Sequence, residues 1–161
     1  MFIIDNLQPI HDSIFYSQDI IEKVEYIPLD TWVPYREYVL YSTKVENLQE
    51  NDLLSITTEF EVTNNTGINL MIASSVKLCD SATSVKGNIL ISANGFNVSP
   101  SMHHGVMTHA RQIKLNKDYG DKYVNVIIVA ASTDAKPIHR LKIEKEYGHL
   151  DIMVFKNKNQ D

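Results

Sequence analysis

Between residues 53 and 62 the side chains alternate without a break. Leu54, Ile56, Thr58, Phe60 and Val62 share one parity, and Ser55, Thr57, Glu59 and Glu61 the other. Successive residues of a β-strand point to opposite faces, so a period of two marks a strand with one side in a core and the other in water. Residues 123–131 carry the same period with different content: Val124, Val126, Ile128 and Ala130 face one way, Ile127, Val129 and Ala131 the other. A strand apolar on both faces belongs in the middle of a packed sheet. Turn signals separate these runs. Asn64-Asn65-Thr66-Gly67 reads as a hairpin loop leading into a strand over 68–78, and Asn94-Gly95 favours a type I′ turn at the end of another over 85–93. Residues 106–115 alternate loosely. Asp118-Tyr119-Gly120-Asp121, residues 134–137 and Tyr147-Gly148 read as further turns. About eight short strands over residues 35–155, with no long segment of helical period, predict an all-β antiparallel β-sandwich of jelly-roll type.

The first 34 residues break this pattern. Pro9, Pro28 and Pro34 interrupt scattered apolar side chains, among them Ile10, Ile14, Phe15, Tyr16, Ile20, Ile21 and Trp32. Two readings stand open. One is an edge strand over 20–27 flanked by loops, since proline is tolerated at sheet edges. The other is an arm that docks on a neighbouring subunit, because a short proline-broken segment cannot bury these side chains alone. The division is then an N-terminal arm or edge segment (1–34), a sandwich domain (35–156) and a solvated tail (157–161). Phe15, Tyr16, Ile20, Trp32 and Tyr35 are the interface candidates.

Composition narrows the function. With 161 residues, 43% of them hydrophobic and 22% charged, the chain suits one folded domain rather than a disordered one. A net charge of −5 speaks against nucleic acid as a partner, since that affinity rests on Lys and Arg displacing counterions. Lys156 and Lys158 are the one basic cluster and read as a solvated terminus. Cys79 is the sole cysteine, so neither an intrachain disulfide nor a thiolate metal site is expected, and after Val76 and Leu78 it reads as a small buried hydrophobe. Phe2, Ile3 and Ile4 run straight into Asp5 without a basic n-region, and no stretch approaches the ~20 apolar residues of a membrane span. The expectation is synthesis in the cytoplasm without a signal peptide, and no membrane partner.

Reaction chemistry is sparse. His103, His104 and His109 put three of the six histidines within seven residues. On an extended strand, however, His103 and His104 would diverge, and His103 and His109 would lie roughly 20 Å apart at ~3.3 Å per residue. A helix does no better at spacings of one, five and six. Only a bend at Gly105 or ligands from elsewhere would assemble a metal-dependent jelly-roll enzyme, and no Asp or Glu occurs between Asp80 and Asp118 to complete a cupin set. Glu59 and Glu61 share a strand face roughly 6.5 Å apart, a spacing known from jelly-roll glycoside hydrolases. Thr57 and Thr63 flank them, so no third carboxylate continues the row and a solvated charged face is expected; Glu144 and Glu146 read likewise. No Gly-x-Ser-x-Gly elbow or glycine-rich phosphate loop occurs. Trp32, Tyr35, Tyr38 and Tyr41 are candidates for a glycan-stacking platform, the alternative in which the domain is a carbohydrate-binding module. No enzymatic activity, cofactor or metal is expected.

Gly95-Phe96-Asn97-Val98-Ser99-Pro100, Met102-His103-His104, Lys122-Tyr123-Val124-Asn125-Val126, Ala130-Ala131-Ser132 and Glu146-Tyr147-Gly148-His149-Leu150 together resemble the β-sandwich accessory proteins of tailed-bacteriophage particles. The resemblance covers roughly the last 60 residues. It implies a structural virion protein, a capsid decoration or tail-accessory subunit. Such a subunit would be oligomeric and would act through contacts with other virion proteins and copies of itself, with a surface glycan as a further possible partner.

Overall fold

A computed structural model describes residues 11–20, 25–29, 36–63, 70–98, 104–132 and 139–157. Among them are nine strands: β1 (His11–Ile20), β2 (Glu25–Leu29), β3 (Arg36–Leu48), β4 (Leu53–Thr63), β5 (Leu70–Cys79), β6 (Gly87–Val98), β7 (His104–Lys114), β8 (Gly120–Ser132) and β9 (His139–Asn157). The antiparallel pairs are nested. β5 pairs with β6, β4 with β7, β3 with β8, and β1 and β2 both with β9. One long hairpin with its tip at β5–β6, wrapped so that successive pairs fall in opposite layers, produces this order, and β4–β9 and β5–β8 pairing closes the wrap. The result is a jelly roll: one sheet runs β1-β9-β4-β7 with β2 also on β9, and the other runs β3-β8-β5-β6.

β1 and β2 keep one register along β9. Ile20 opposes Gly148 and Glu25 opposes Ile143, five residues on in one strand and five back in the other. They therefore share one of the eight jelly-roll positions. Only seven strands, β3 to β9, fall in the region expected to hold about eight, because the predicted turn at Tyr147-Gly148 does not form. β9 runs through it, and the surplus appears as a bulge: Glu59 opposes His149 while Glu61 opposes Glu144, so five steps of β9 match two of β4. Asn94-Gly95 is likewise no turn, since both residues sit inside β6 opposite Ser74 and Ala73. A Cβ on Gly95 would lie 2.7 Å from the Ile72 carbonyl oxygen, so this glycine serves close strand approach. Nor do β4 and β5 form the predicted hairpin, since they lie in different sheets; residues 64–67 and 134–137 fall outside the described set. The turn before β8 is present, with Gly120 at φ 67°.

The core lies between the sheets. Leu54, Ile56, Phe60 and Val62 of β4 and Leu150, Ile152 and Val154 of β9 meet Val45, Ile72, Val76, Leu78, Val124, Val126 and Ile128 from the opposite layer. Fully burying one such side chain is worth about 1.5–3 kcal/mol. Tyr41 and Phe60 join the layers edge to face, with ring centroids 6.2 Å apart. β8 is central, as its two-sided apolar pattern requires, and Ile127 on its other face is also fully buried.

Two clamps hold the connections. Asp52, fully buried in the β3–β4 turn, accepts the Gln49 amide (2.8 Å) and the Asn157 amide (3.1 Å), and pairs with Lys156, which also donates to the Asn47 carbonyl. Lys156 is thus no solvated tail residue: its side chain is 17% exposed because it neutralises a buried carboxylate. On the outer face of the other sheet, buried Asn125 accepts the Ser42 hydroxyl (2.6 Å) and donates to the Ser81 (2.9 Å) and Ser84 (2.8 Å) carbonyls, fixing the β5–β6 connection over β8.

Candidate assembly surface

The register of the larger sheet lays its outer face out as rows across β1, β9, β4 and β7. The first row is Ser13, Phe155, Leu53 and Lys114, and the second is Phe15, Met153, Ser55 and Gln112. Above them come Ser17, Asp151, Thr57 and Ala110, and then His149, Glu59 and Thr108 on β9, β4 and β7. The two lower rows hold four large apolar side chains and a single charge, Lys114. Phe15 is 60% exposed, and Met153, Phe155 and Leu53 are half-buried. The upper rows are polar and cross-linked: Ser17 donates to Asp151 (2.7 Å), His149 lies 3.7 Å from Asp151, and Thr108 donates to Glu59 (3.4 Å). An apolar centre beside a hydrogen-bonded polar margin is the anatomy of a protein–protein contact.

β1 strengthens this reading. It lies at the margin of its sheet, where Phe15 on the outer face is 60% exposed and Ile14, on the core-facing side opposite Val154, is 42% exposed. Soluble monomers blunt such edges with charge, proline or covering segments. Tyr16, less exposed than either, packs against the core and accepts the Glu46 amide at 3.5 Å. The side chain of Ile20 and residues Trp32 and Tyr35 lie outside the described set. Met153 and Phe155 escaped the sequence reading, although the run 150–155, apolar at every position but Asp151, carries the same two-sided signal as β8.

Of the histidines, His103 and the side chain of His104 lie outside the described set. His109 opposes Thr58 on the core side of β7, is buried, and leaves Nε2 without a partner; burial holds its imidazole below the ordinary histidine range. Among the described residues no group of three or more His, Cys, Asp or Glu is placed to hold a metal. Tyr41 cannot serve a stacking platform, being a core residue, and Tyr38 packs against the same core. Glu61 is not solvated either: it is 9% exposed, while Glu59 is half-buried. Cys79 is buried as expected, and that burial pushes its thiol up.

No protein-family model and no curated protein matches the sequence. The fold has solved counterparts. A chain of infectious bursal disease virus, Gx strain, is similar with TM-score 0.60 and 11% identity over 93% of this chain and 34% of that one. VP2 of the same virus, in its subviral particle, is similar with TM-score 0.59 and 14% identity over 91% and 33%. The Gt strain gives TM-score 0.62 and 13% identity over 89% and 33%. The chain thus spans about a third of the length of these viral chains and shares with them the jelly-roll fold.

Proposed function

We propose that this chain is a non-enzymatic structural subunit of a virion, a capsid decoration or tail-accessory protein of a bacteriophage. In this reading it works by burying the outer face of its larger sheet against other virion proteins or copies of itself. The observation that carries this is the contiguous apolar block that the register of three strands, β1, β9 and β4, makes of Phe15, Met153, Phe155 and Leu53, which a soluble monomer gains nothing by displaying. The shared fold with a particle-forming viral protein supports it, although a fold alone hosts many functions. Antibody-gold electron microscopy of virions from the source of this chain, paired with sedimentation velocity of the purified protein, tests it. Regular labelling of particles, or a defined oligomer in solution, is expected. Unlabelled particles together with a strictly monomeric protein would overturn it.

A further inference from the structure

On the opposite side of the molecule, a cavity of about 500 Å³ opens between β3 and the β5–β6 connection. Glu37, Val39 and Ser42 line it from the strand, and Ala82, Thr83 and Val85 from the connection. Its walls are braced. Asn125 holds the connection through Ser81 and Ser84, and the Lys77 ammonium, with its side chain only 15% exposed, donates to the Val85 carbonyl (2.9 Å) and pairs with Glu37 (3.3 Å). Burying an asparagine and most of a lysine to brace a surface turn is costly unless the partners are met, and here each is met. The cavity is therefore built into the fold.

The lining groups select a ligand chemistry. The Ser42 proton is committed to Asn125, which leaves its oxygen as an acceptor. Glu37 is an acceptor throughout, and a carboxylate has about four lone-pair sites, of which Lys77 takes one. Glu37, 38% exposed, thus keeps acceptor capacity at the mouth. Val39, Ala82 and Val85 supply the apolar stretch between, and the Tyr38 and Thr83 hydroxyls add groups that accept as well as donate. Acceptors set beside an apolar wall suit a donor-only cation on an aliphatic stem, and a planar guanidinium presents its donors in a fixed fork that matches a carboxylate.

We propose that this cavity receives an arginine side chain of a partner protein, its stem along Val39 and Val85 and its guanidinium on Glu37. The site is separate from the outer face of the larger sheet, and either can fail without the other. The test is NMR titration of the isotope-labelled full chain with N-acetyl-arginine-N-methylamide, and in parallel with its citrulline counterpart, which has the same shape without the charge. Saturable shifts at Val39, Ser42, Thr83 and Val85 are expected with the arginine probe and not with the citrulline one. Glu37→Gln should weaken binding about fivefold, the upper end for a partly exposed ion pair, while Glu37→Asp retains saturable binding. Equal responses to the two probes, or no saturable shift at these residues, would overturn the assignment; that comparison needs no variant.

Discussion

Removing the fully buried Asp52 carboxylate should cost a large share of the stability of this molecule. In Asp52→Ala the Gln49 and Asn157 amides, at 2.8 and 3.1 Å from the carboxylate, lose their acceptor in a part-buried turn. Each such loss costs about 1–3 kcal/mol. Lys156, 17% exposed, can turn its ammonium to water, so its share is small. The expected loss is about 3–5 kcal/mol, a large part of the roughly 5–15 kcal/mol that holds a typical domain folded. For a chain of this length that is a fall in Tm of roughly 10 °C. Urea unfolding followed by circular dichroism gives the number, with an unchanged slope showing that the same surface is exposed. Lys156→Met, which leaves both amides satisfied, should cost about 1–2 kcal/mol, below the value for a fully buried pair. A loss under about 1 kcal/mol for Asp52→Ala, or a larger loss for Lys156→Met than for Asp52→Ala, would refute the clamp.

Two further outcomes follow from buried groups. His109 is held below its ordinary value of 6.5 by burial, so the unfolded chain takes up the proton first and stability falls as pH drops below about 6.5 through the folded pKa. Urea midpoints measured from pH 7.5 down to 5 should therefore decline more steeply for the native chain than for His109→Leu, and parallel curves would contradict this. Gly87→Ala places a Cβ against the Leu78 carbonyl oxygen and 2.8 Å from the Cys79 sulfur, forcing β5 and β6 apart. The cost should be about 2 kcal/mol, in the range of overpacked interiors, with lost amide protection along that pair; a neutral effect would show that the strands give way freely.

The sandwich was readable because period-two alternation needs only local chemistry: β4 and β8 announce themselves through which side chains share a parity. What escaped was non-local. Asn94-Gly95 and Tyr147-Gly148 have the composition of turns, yet one sits in a strand where glycine permits close approach and the other lies in a bulge of the long strand β9. Whether such a dipeptide bends depends on what pairs with it. The same holds for Lys156 and Tyr41, whose partners Asp52 and Phe60 lie far off in sequence. Of the four apolar side chains of the candidate surface, Phe15 alone was among the interface candidates read from the sequence. Met153, Phe155 and Leu53 joined it only once the register of β1, β9 and β4 set them side by side.

Under the proposed virion role, that apolar block is covered by a neighbouring subunit. Virions grown with Phe15→Glu/Met153→Glu as the sole source of the protein, compared with virions carrying Ile89→Glu, test it by quantifying the chain recovered with purified particles. Ile89 is 63% exposed but lies on β6 of the other sheet, so it controls for adding charge to an apolar surface position. The double variant should be lost from particles while remaining folded, and Ile89→Glu should be retained. Equal recovery of both would contradict the account.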